Sequence, residues 1–361
     1  MRTLASIQTI SAIERIEGAD AIEKARVLGW WVVVKRGEHQ PGDRVVYCEI
    51  DSLLPERPEF EFLRKGCYRA AIVGPQGETL LPAGFRIKTV KLRGQVSQGI
   101  CFPLSILPAL PADASLHDGT DVTALLGIVK YDPPLPASMS GRVRGAFPGF
   151  LPKTDETRVQ VLESVLARHR GKTFYFTEKL DGTSFTAFYR QGQAGEAGQF
   201  GVCSRNQWLD ETDLANTMCR LAAELELERK LAAARTRFGF DLAIQGEIIG
   251  PGIQKNKYGL KQAELHIFNV VDLDRFRLVD HARMLEIAAE LGLRAVPQLG
   301  TLVLDHTVDQ LIELSMGNSL LAPRTPREGI VLRPLFDEND PDLGRLSFKA
   351  INPKFLLQFD E

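Results

Sequence analysis

Across its 361 residues the chain has no apolar run near the roughly 20 residues that a membrane-spanning helix needs, which excludes that class. Cysteine is scarce: Cys48, Cys67, Cys101, Cys203 and Cys219 make an odd five with no CxxC spacing. That excludes both a disulfide framework and a thiolate zinc site, and fits a reducing compartment. The amino terminus, MRTLASIQTISAIERIEGAD, lacks the apolar core of a signal peptide, so a cytoplasmic location without membrane attachment is expected. Neither sign of charge dominates: 44 Lys and Arg face 46 Asp and Glu, a net charge of −2. Bulk electrostatics therefore point to no polyanion, and any nucleic-acid site must be local. The histidines are scattered without metal-ligand spacing, and Gly250-Pro251-Gly252 is not a phosphate-cradling P-loop.

What is present is a globular composition, 44% hydrophobic and 25% charged, in a chain too long for one ordinary core. Two domains are expected. The boundary is the proline-rich stretch 131–152, YDPPLPASMSGRVRGAFPGFLP, a poor helix and a good semi-rigid linker. Residues 1–130 read as short strands. Ala25 to Lys35 is rich in β-branched and aromatic residues, Arg44 to Ile50 follows the turn Gln40-Pro41-Gly42-Asp43, and Arg86 to Phe102 offers strands around Gly94 and Gly99. A small β-barrel of the OB type fits. Within it Arg64, Lys65, Arg69, Arg86, Lys88, Lys91 and Arg93 face the single acid Glu78. Such a run serves either a phosphate backbone or a guarded strand edge, and the sequence leaves both readings open.

Residues 153–361 mix strands and helices, an α+β pattern with antiparallel sheets. Thr154 is placed to cap a helix carrying Asp155 and Glu156 in its first turn, with Val159, Leu162 and Leu166 on one face. Further helices are expected over about 212–235, 280–293 and 308–316. Strands are expected at 173–177, 183–189, 242–248, 266–272, 329–333 and 346–351, with a hairpin loop at 191–199.

The chemistry concentrates in Phe176-Thr177-Glu178-Lys179-Leu180-Asp181-Gly182-Thr183. A lysine at a strand end before an Asp-Gly turn is exposed yet rigidly aimed, as a covalent nucleophile should be. Alone, KxDG also describes a surface hairpin. Downstream stand Ser204-Arg205-Asn206, Glu247 in Gln-Gly-Glu-Ile-Ile-Gly, Phe268 in His-Ile-Phe-Asn-Val-Val-Asp, Glu328 in Glu-Gly-Ile-Val-Leu-Arg-Pro, and Lys349 in Ser-Phe-Lys-Ala-Ile-Asn. Taken singly, Phe268 reads as core, Glu247 and Glu328 as solvated strand ends, and Arg205 as a surface charge.

In this order the six segments resemble the motifs of the covalent nucleotidyltransferases, which include polynucleotide ligases and mRNA capping enzymes. The resemblance implies an OB-like barrel followed by an ATP-grasp-like α+β nucleotidyltransferase domain, using ATP and Mg²⁺ or Mn²⁺. It implies that Lys179 attacks the α-phosphate and carries AMP as a phosphoramidate. Glu178, Arg205, Glu247 and Phe268 would then hold the nucleoside, with Phe268 stacked on adenine. Asp181 and Glu328 would hold the metal through its water shell, and Lys349 would reach the α-phosphate.

Only 12 residues follow Lys349, so a carboxyl-terminal OB domain is not expected, and the β-rich module leads instead. That arrangement, with Gly246 to Leu260 (GEIIGPGIQKNKYGL) and Lys153-Thr154-Asp155-Glu156-Thr157-Arg158, resembles RNA ligase family 5. Arg158 is implied as the cation on departing pyrophosphate. One departure is the absence of a K-x-K pair, since Ser347 and Ile351 flank Lys349, with Lys354 as the alternative. The resulting expectation is an ATP-dependent RNA ligase, monomeric, acting in RNA repair on nicked duplexes with an RNA 3′-OH strand. The rivals are a DNA ligase, a guanylyl-transferring capping enzyme, and a non-catalytic polynucleotide-binding protein.

Overall fold

The computed structural model describes residues 3–108, 116–134, 141–192 and 198–360. The chain divides into two compact units. The first comprises 1–134, 160–163 and 353–361, the second 135–159 and 164–352.

The first unit is β-rich. A five-stranded antiparallel sheet contains β1 (Ala5–Arg15), β2 (Ile22–Val27), β3 (Trp30–Lys35), β4 (Arg44–Cys48) and a strand at Ile100–Pro103. The 11-residue β1 pairs with β4 over Ala5–Thr9 and with β2 from Ile10 onward, with a bulge between Ile10 and Ala12. A long strand that changes partner at a bulge is how a small barrel turns its corner. The expected single strand at 25–35 is a hairpin, because the chain turns at Leu28-Gly29 and both arms bury alternate residues: Ala25 and Val27, then Val32 and Val34. Ile7, Val46, Leu54, Phe60, Phe85 and Phe102 fill the core.

The basic run of this unit is largely committed within it. Arg64 pairs with Glu56 at 2.6 Å and with Glu61, while Lys88 and Arg69 both pair with Asp360. Arg86 donates to the Asp360 carbonyl at 3.1 Å and lies over the Tyr131 ring. Lys65, Lys91 and Arg93 are exposed.

The second unit is built on two sheets. In the eight-stranded one, β5 (Thr183–Arg190) pairs with Gln199–Cys203 and with β6 (Leu242–Ile249), which pairs with β7 (Glu264–Asp272). Val143–Ala146, inside the proline-rich stretch, adds an edge strand by pairing with Gln207–Leu209, and residues 135–140 and 193–197 lie outside the described residues. The five-stranded sheet runs in the order Thr157–Arg158, Phe348–Ile351, Gly329–Pro334, Thr173–Lys179, Gln298–Val303. Nearly all pairings are antiparallel. The exceptions are Thr157–Arg158 beside Phe348–Lys349 and Arg294–Ala295 beside His266–Ile267.

Two helix expectations need correction. Thr154 caps no helix: its hydroxyl lies 3.1 Å from that of Ser184, and the helix begins only at Glu163. The Glu156 carboxylate is 7% exposed and held by Arg333 at 2.9 Å and Arg345 at 2.8 Å. That buried pairing and the added strand override a local helix signal. The helix expected at 212–235 is two, Thr217–Glu224 and Leu227–Phe238, broken at Glu226 (φ 53°). Asn216 accepts from the amides of Met218 and Cys219 to cap the first. The break lets both helices lay apolar residues, Met218 and Leu221, then Leu227 and Leu231, on the larger sheet.

Candidate active site

Lys179 ends its strand, and Asp181-Gly182 turns the chain directly into β5. Gly182 is required by close approach, since a Cβ there would lie 2.2 Å from the Ile248 carbonyl oxygen. Glu328 immediately precedes the neighbouring strand, where Lys179 is in register with Gly329. The backbone amide of Asn352 donates to the Glu328 carbonyl, fixing that corner. The Lys179 Nζ donates to Glu328 Oε2 at 2.7 Å, the two side chains being 25% and 12% exposed.

Register also explains how two remote cations join this lysine. Thr177 pairs with Val331, Val331 with Lys349, and Lys349 with Arg158. Directly paired residues share a face and side chains alternate every second residue. Lys179, two positions beyond Thr177, therefore faces the same side as Lys349 and Arg158. The same alternation places Glu156, Ser347 and Arg333 on that face one step further along. Arg333 donates to Glu156, to Ser347 Oγ at 3.0 Å, to Asn269 Oδ1 at 2.7 Å and to the Phe268 carbonyl at 2.9 Å.

The lysine is surrounded by acids. Burial favours its neutral amine, yet Glu328, Glu247 and Asp181 outweigh that and hold the ammonium above the ordinary lysine range. Glu247, on β6, is pushed up to about 8 by burial, with Glu328 and Asp181 adding to the rise against the pull of Lys179. Asp181 is buried and paired with Lys257, while its amide donates to the Tyr258 hydroxyl at 2.7 Å.

Other expected residues take no part in these ion pairs. Glu178 is on the opposite face of its strand; its Oε2 accepts from the Leu320 amide at 2.9 Å, and its buried Oε1 has no hydrogen-bond partner among the described residues. Burial raises its carboxyl above the ordinary range, against the Ser319 and Leu320 donors. Phe268 is half-buried against a cluster of Leu180, Ile249, Tyr258 and Val296. Arg205 is turned outward to an ion pair with Asp155, both exposed. Lys354 is exposed on the helix Pro353–Phe359 of the first unit.

Sequence reasoning gave no role to Lys257 or Arg333. Lys257 follows Gln254, Lys255 and Asn256, three residues in the left-handed region (φ 44°, 58° and 48°). Non-glycine residues adopt that conformation only where surroundings enforce it. Here the Asn256 side chain both donates to and accepts from the Leu260 backbone. The only signal in the sequence was a lysine set between glycines and an apolar pair.

Known families and solved structures resemble the chain over nearly its whole length. An OB-fold domain family matches residues 4–104 and the RNA ligase family matches residues 172–351. No curated protein sequence matches the chain. Among solved structures, Naegleria gruberi RNA ligase with PPi is 36% identical at a TM-score of 0.83, covering 99% of this chain and 98% of that one. A mutant of the same ligase with ATP and Mn is 34% identical, also at 0.83, covering 98% of each chain. A mutant with AMP and Mn is 35% identical, with the same score and coverage. Similarity at this identity runs through both units, and the two family matches fall in the order barrel then ligase. The chain belongs to the ATP-dependent RNA ligases that carry an amino-terminal OB domain.

Proposed function

We propose that this ligase seals 3′-OH/5′-phosphate nicks in RNA through lysyl-AMP and an adenylylated 5′ end, as a step in RNA repair. The observation that carries the reading is Lys179 paired with Glu328 on the sheet face shared with Lys349 and Arg158. The Lys179 ammonium first releases a proton to water; its neutral Nζ then attacks the α-phosphorus of ATP, a P–N bond forms as the bond to pyrophosphate breaks, and the remaining extra proton on nitrogen leaves to water. Lys349 then neutralises the α-phosphate and Arg158 the departing pyrophosphate, fixed cations placed where charge develops.

The nucleoside fits the apolar cluster that contains Leu180, the residue after Lys179. Phe268, Val296 and Leu321 supply apolar surface, and the unpartnered Glu178 Oε1 is an acceptor for an exocyclic amine. The donors near Lys179 fit a hard divalent cation, because Asp181, Glu247 and Glu328 all offer carboxylate oxygen. When bound, Mg²⁺ or Mn²⁺ supplies positive charge that screens these acids and so favours the neutral amine of Lys179. In this scheme residues 1–134, with 160–163 and 353–361, are the RNA-gripping unit and 135–159 with 164–352 the catalytic unit, so the stretch expected as a linker at 131–152 instead gives the catalytic sheet an edge strand at Val143–Ala146.

Mass spectrometry after incubation with ATP and Mn²⁺ tests the first step. An AMP adduct on Lys179 is expected; a GMP adduct from GTP alone, or no adduct, overturns the reading. Sealing of nicked duplexes with RNA or DNA at each end then tests the second part.

A further inference from the structure

The RNA ligase reading leaves unsaid where the OB unit grips its polyanion, and the basic run at 64–93 is a poor answer. Its Arg64, Arg69 and Lys88 already neutralise Glu56, Glu61 and Asp360. A different surface, which takes only Arg93 from that run, is built for the task. Ala25, Val27, Val32 and Val34 of the β2–β3 hairpin fill the core, so alternation puts Lys24, Arg26, Trp31 and Val33 on the outer face. Trp31 and Val33 are only half-buried there. The Lys24 ammonium lies 4.3 Å and the Arg26 guanidinium 4.9 Å from the Trp31 ring centre. These cation–π contacts hold both charges over one aromatic platform.

Beside that platform runs an open groove of about 460 Å³ lined by Arg15, Glu17, Lys24, Arg93 and Gln95. Arg93 reaches it on the tip of the hairpin Val90–Ser97, where Arg93 and Gly94 both have positive φ (48° and 84°), a turn that follows strand twist. That hairpin is fastened to β3, whose Val33 amide donates to Ser97 Oγ at 2.9 Å. The border is acidic: Glu14 pairs with Lys24 at 2.9 Å, and Glu17 lines one wall.

We propose that the outer face of β2–β3 and its groove hold an RNA strand beside the break, with phosphates on Lys24, Arg26 and Arg93 and a base against Trp31. The proposal rests on the RNA ligase reading for the identity of the polyanion. Lys24 and Arg26 are two residues apart on one strand, about 6.6 Å along it, a step comparable to that between successive phosphates. An aromatic platform beside a cationic groove is the combination that single strands need, stacking for bases and charge for the backbone.

The test uses the full chain and a fluorescein-labelled nicked RNA duplex with a single-stranded tail, with anisotropy read across a KCl series. In the variant K24Q/R26Q/R93Q the slope of log affinity against log salt should flatten by about 2 to 3 units. Trp31→Ala should weaken binding roughly five-fold or more, with Trp31→Phe restoring most of it. Lysyl-AMP formation from ATP without RNA should match wild type in all of them, which also shows that they fold. An unchanged slope with normal adenylylation overturns the proposal, as does a flattened slope in R64Q/K88Q instead. Failure of the wild-type protein to form lysyl-AMP sinks the ligase reading separately.

Discussion

The two units hold their cations in opposite ways. In the catalytic unit Lys179, Lys257 and Arg333 are drawn inward, each against a named acid: Glu328, Asp181 and Glu156. In the OB unit Lys35, Lys91 and Arg93 stand in water on strand ends and a hairpin tip. Desolvated charges interact strongly and only at fixed geometry, whereas exposed ones are screened by salt and tolerate many partners. The first arrangement suits bond making at one phosphorus, the second a grip on any sequence. Breaking each should therefore fail differently, the first by loss of chemistry and the second by a change in salt dependence.

The largest effect is expected at the nucleophile. Lys179→Ala should abolish lysyl-AMP and sealing, and Lys179→Arg should do the same, because guanidinium stays protonated. Labelled AMP incorporated by either variant would show that another residue is the nucleophile. Next comes Arg158→Ala, expected to slow adenylylation about 10²–10³-fold, as removal of a fixed charge stabiliser does. A normal single-turnover rate would move the pyrophosphate role elsewhere.

Arg333 tests structure more than chemistry. It joins Glu156 and Ser347, each two residues before a cation on the lysine's sheet face, to Asn269 of the larger sheet. Arg333→Met leaves Glu156 with Arg345 and the Ser347 hydroxyl and should cost about 3 kcal/mol or more in urea unfolding. A loss below 1 kcal/mol would mean that Arg345 suffices.

How much of this was legible in the sequence depends on whether a feature is local. The strand–lysine–Asp-Gly turn was legible because its signals are neighbours in the chain. Helix positions at 281–291 and 308–315 followed the periodic pattern closely. The segment around Thr154 was misread because what decides it is remote: Glu156 meets Arg333 and Arg345 far along the chain. Lys257 was missed for the same reason, its partner Asp181 being supplied by tertiary packing. The basic run was legible as composition, but Asp360, which takes up much of it, comes from the other end of the sequence.

A smaller effect follows from Glu247. Its folded value of about 8 lies above the ordinary 4.5, so between those values the folded chain holds a proton that the unfolded chain has released. Stability therefore falls as pH rises through that window. Lys179, raised above 10.5, contributes no change there, its stabilisation being lost only at higher pH. His266 and His281, shifted down by burial, act in the opposite sense, so the measurement is the difference between wild type and Glu247→Gln. The gap in melting temperature should widen in favour of the variant from pH 5 to pH 8. A constant gap would mean that Glu247 ionises normally.

The smallest effect sharpens the contrast from the OB side. Lys88 is 20% exposed and its partner Asp360 is 61% exposed, so water and salt screen the pair. Exposed pairs of this kind contribute about 0–1 kcal/mol. Lys88→Gln should therefore leave the melting temperature nearly unchanged and leave lysyl-AMP formation untouched. Asp360 also pairs with Arg69 and accepts from Arg86 through its carbonyl, so one lost lysine leaves other cations at that chain end. Added salt should erase whatever difference remains, which the buried Arg333 variant would not show. A Lys88→Gln loss of several kcal/mol that persists at high salt would place this pair with the buried charges of the catalytic unit and break the comparison.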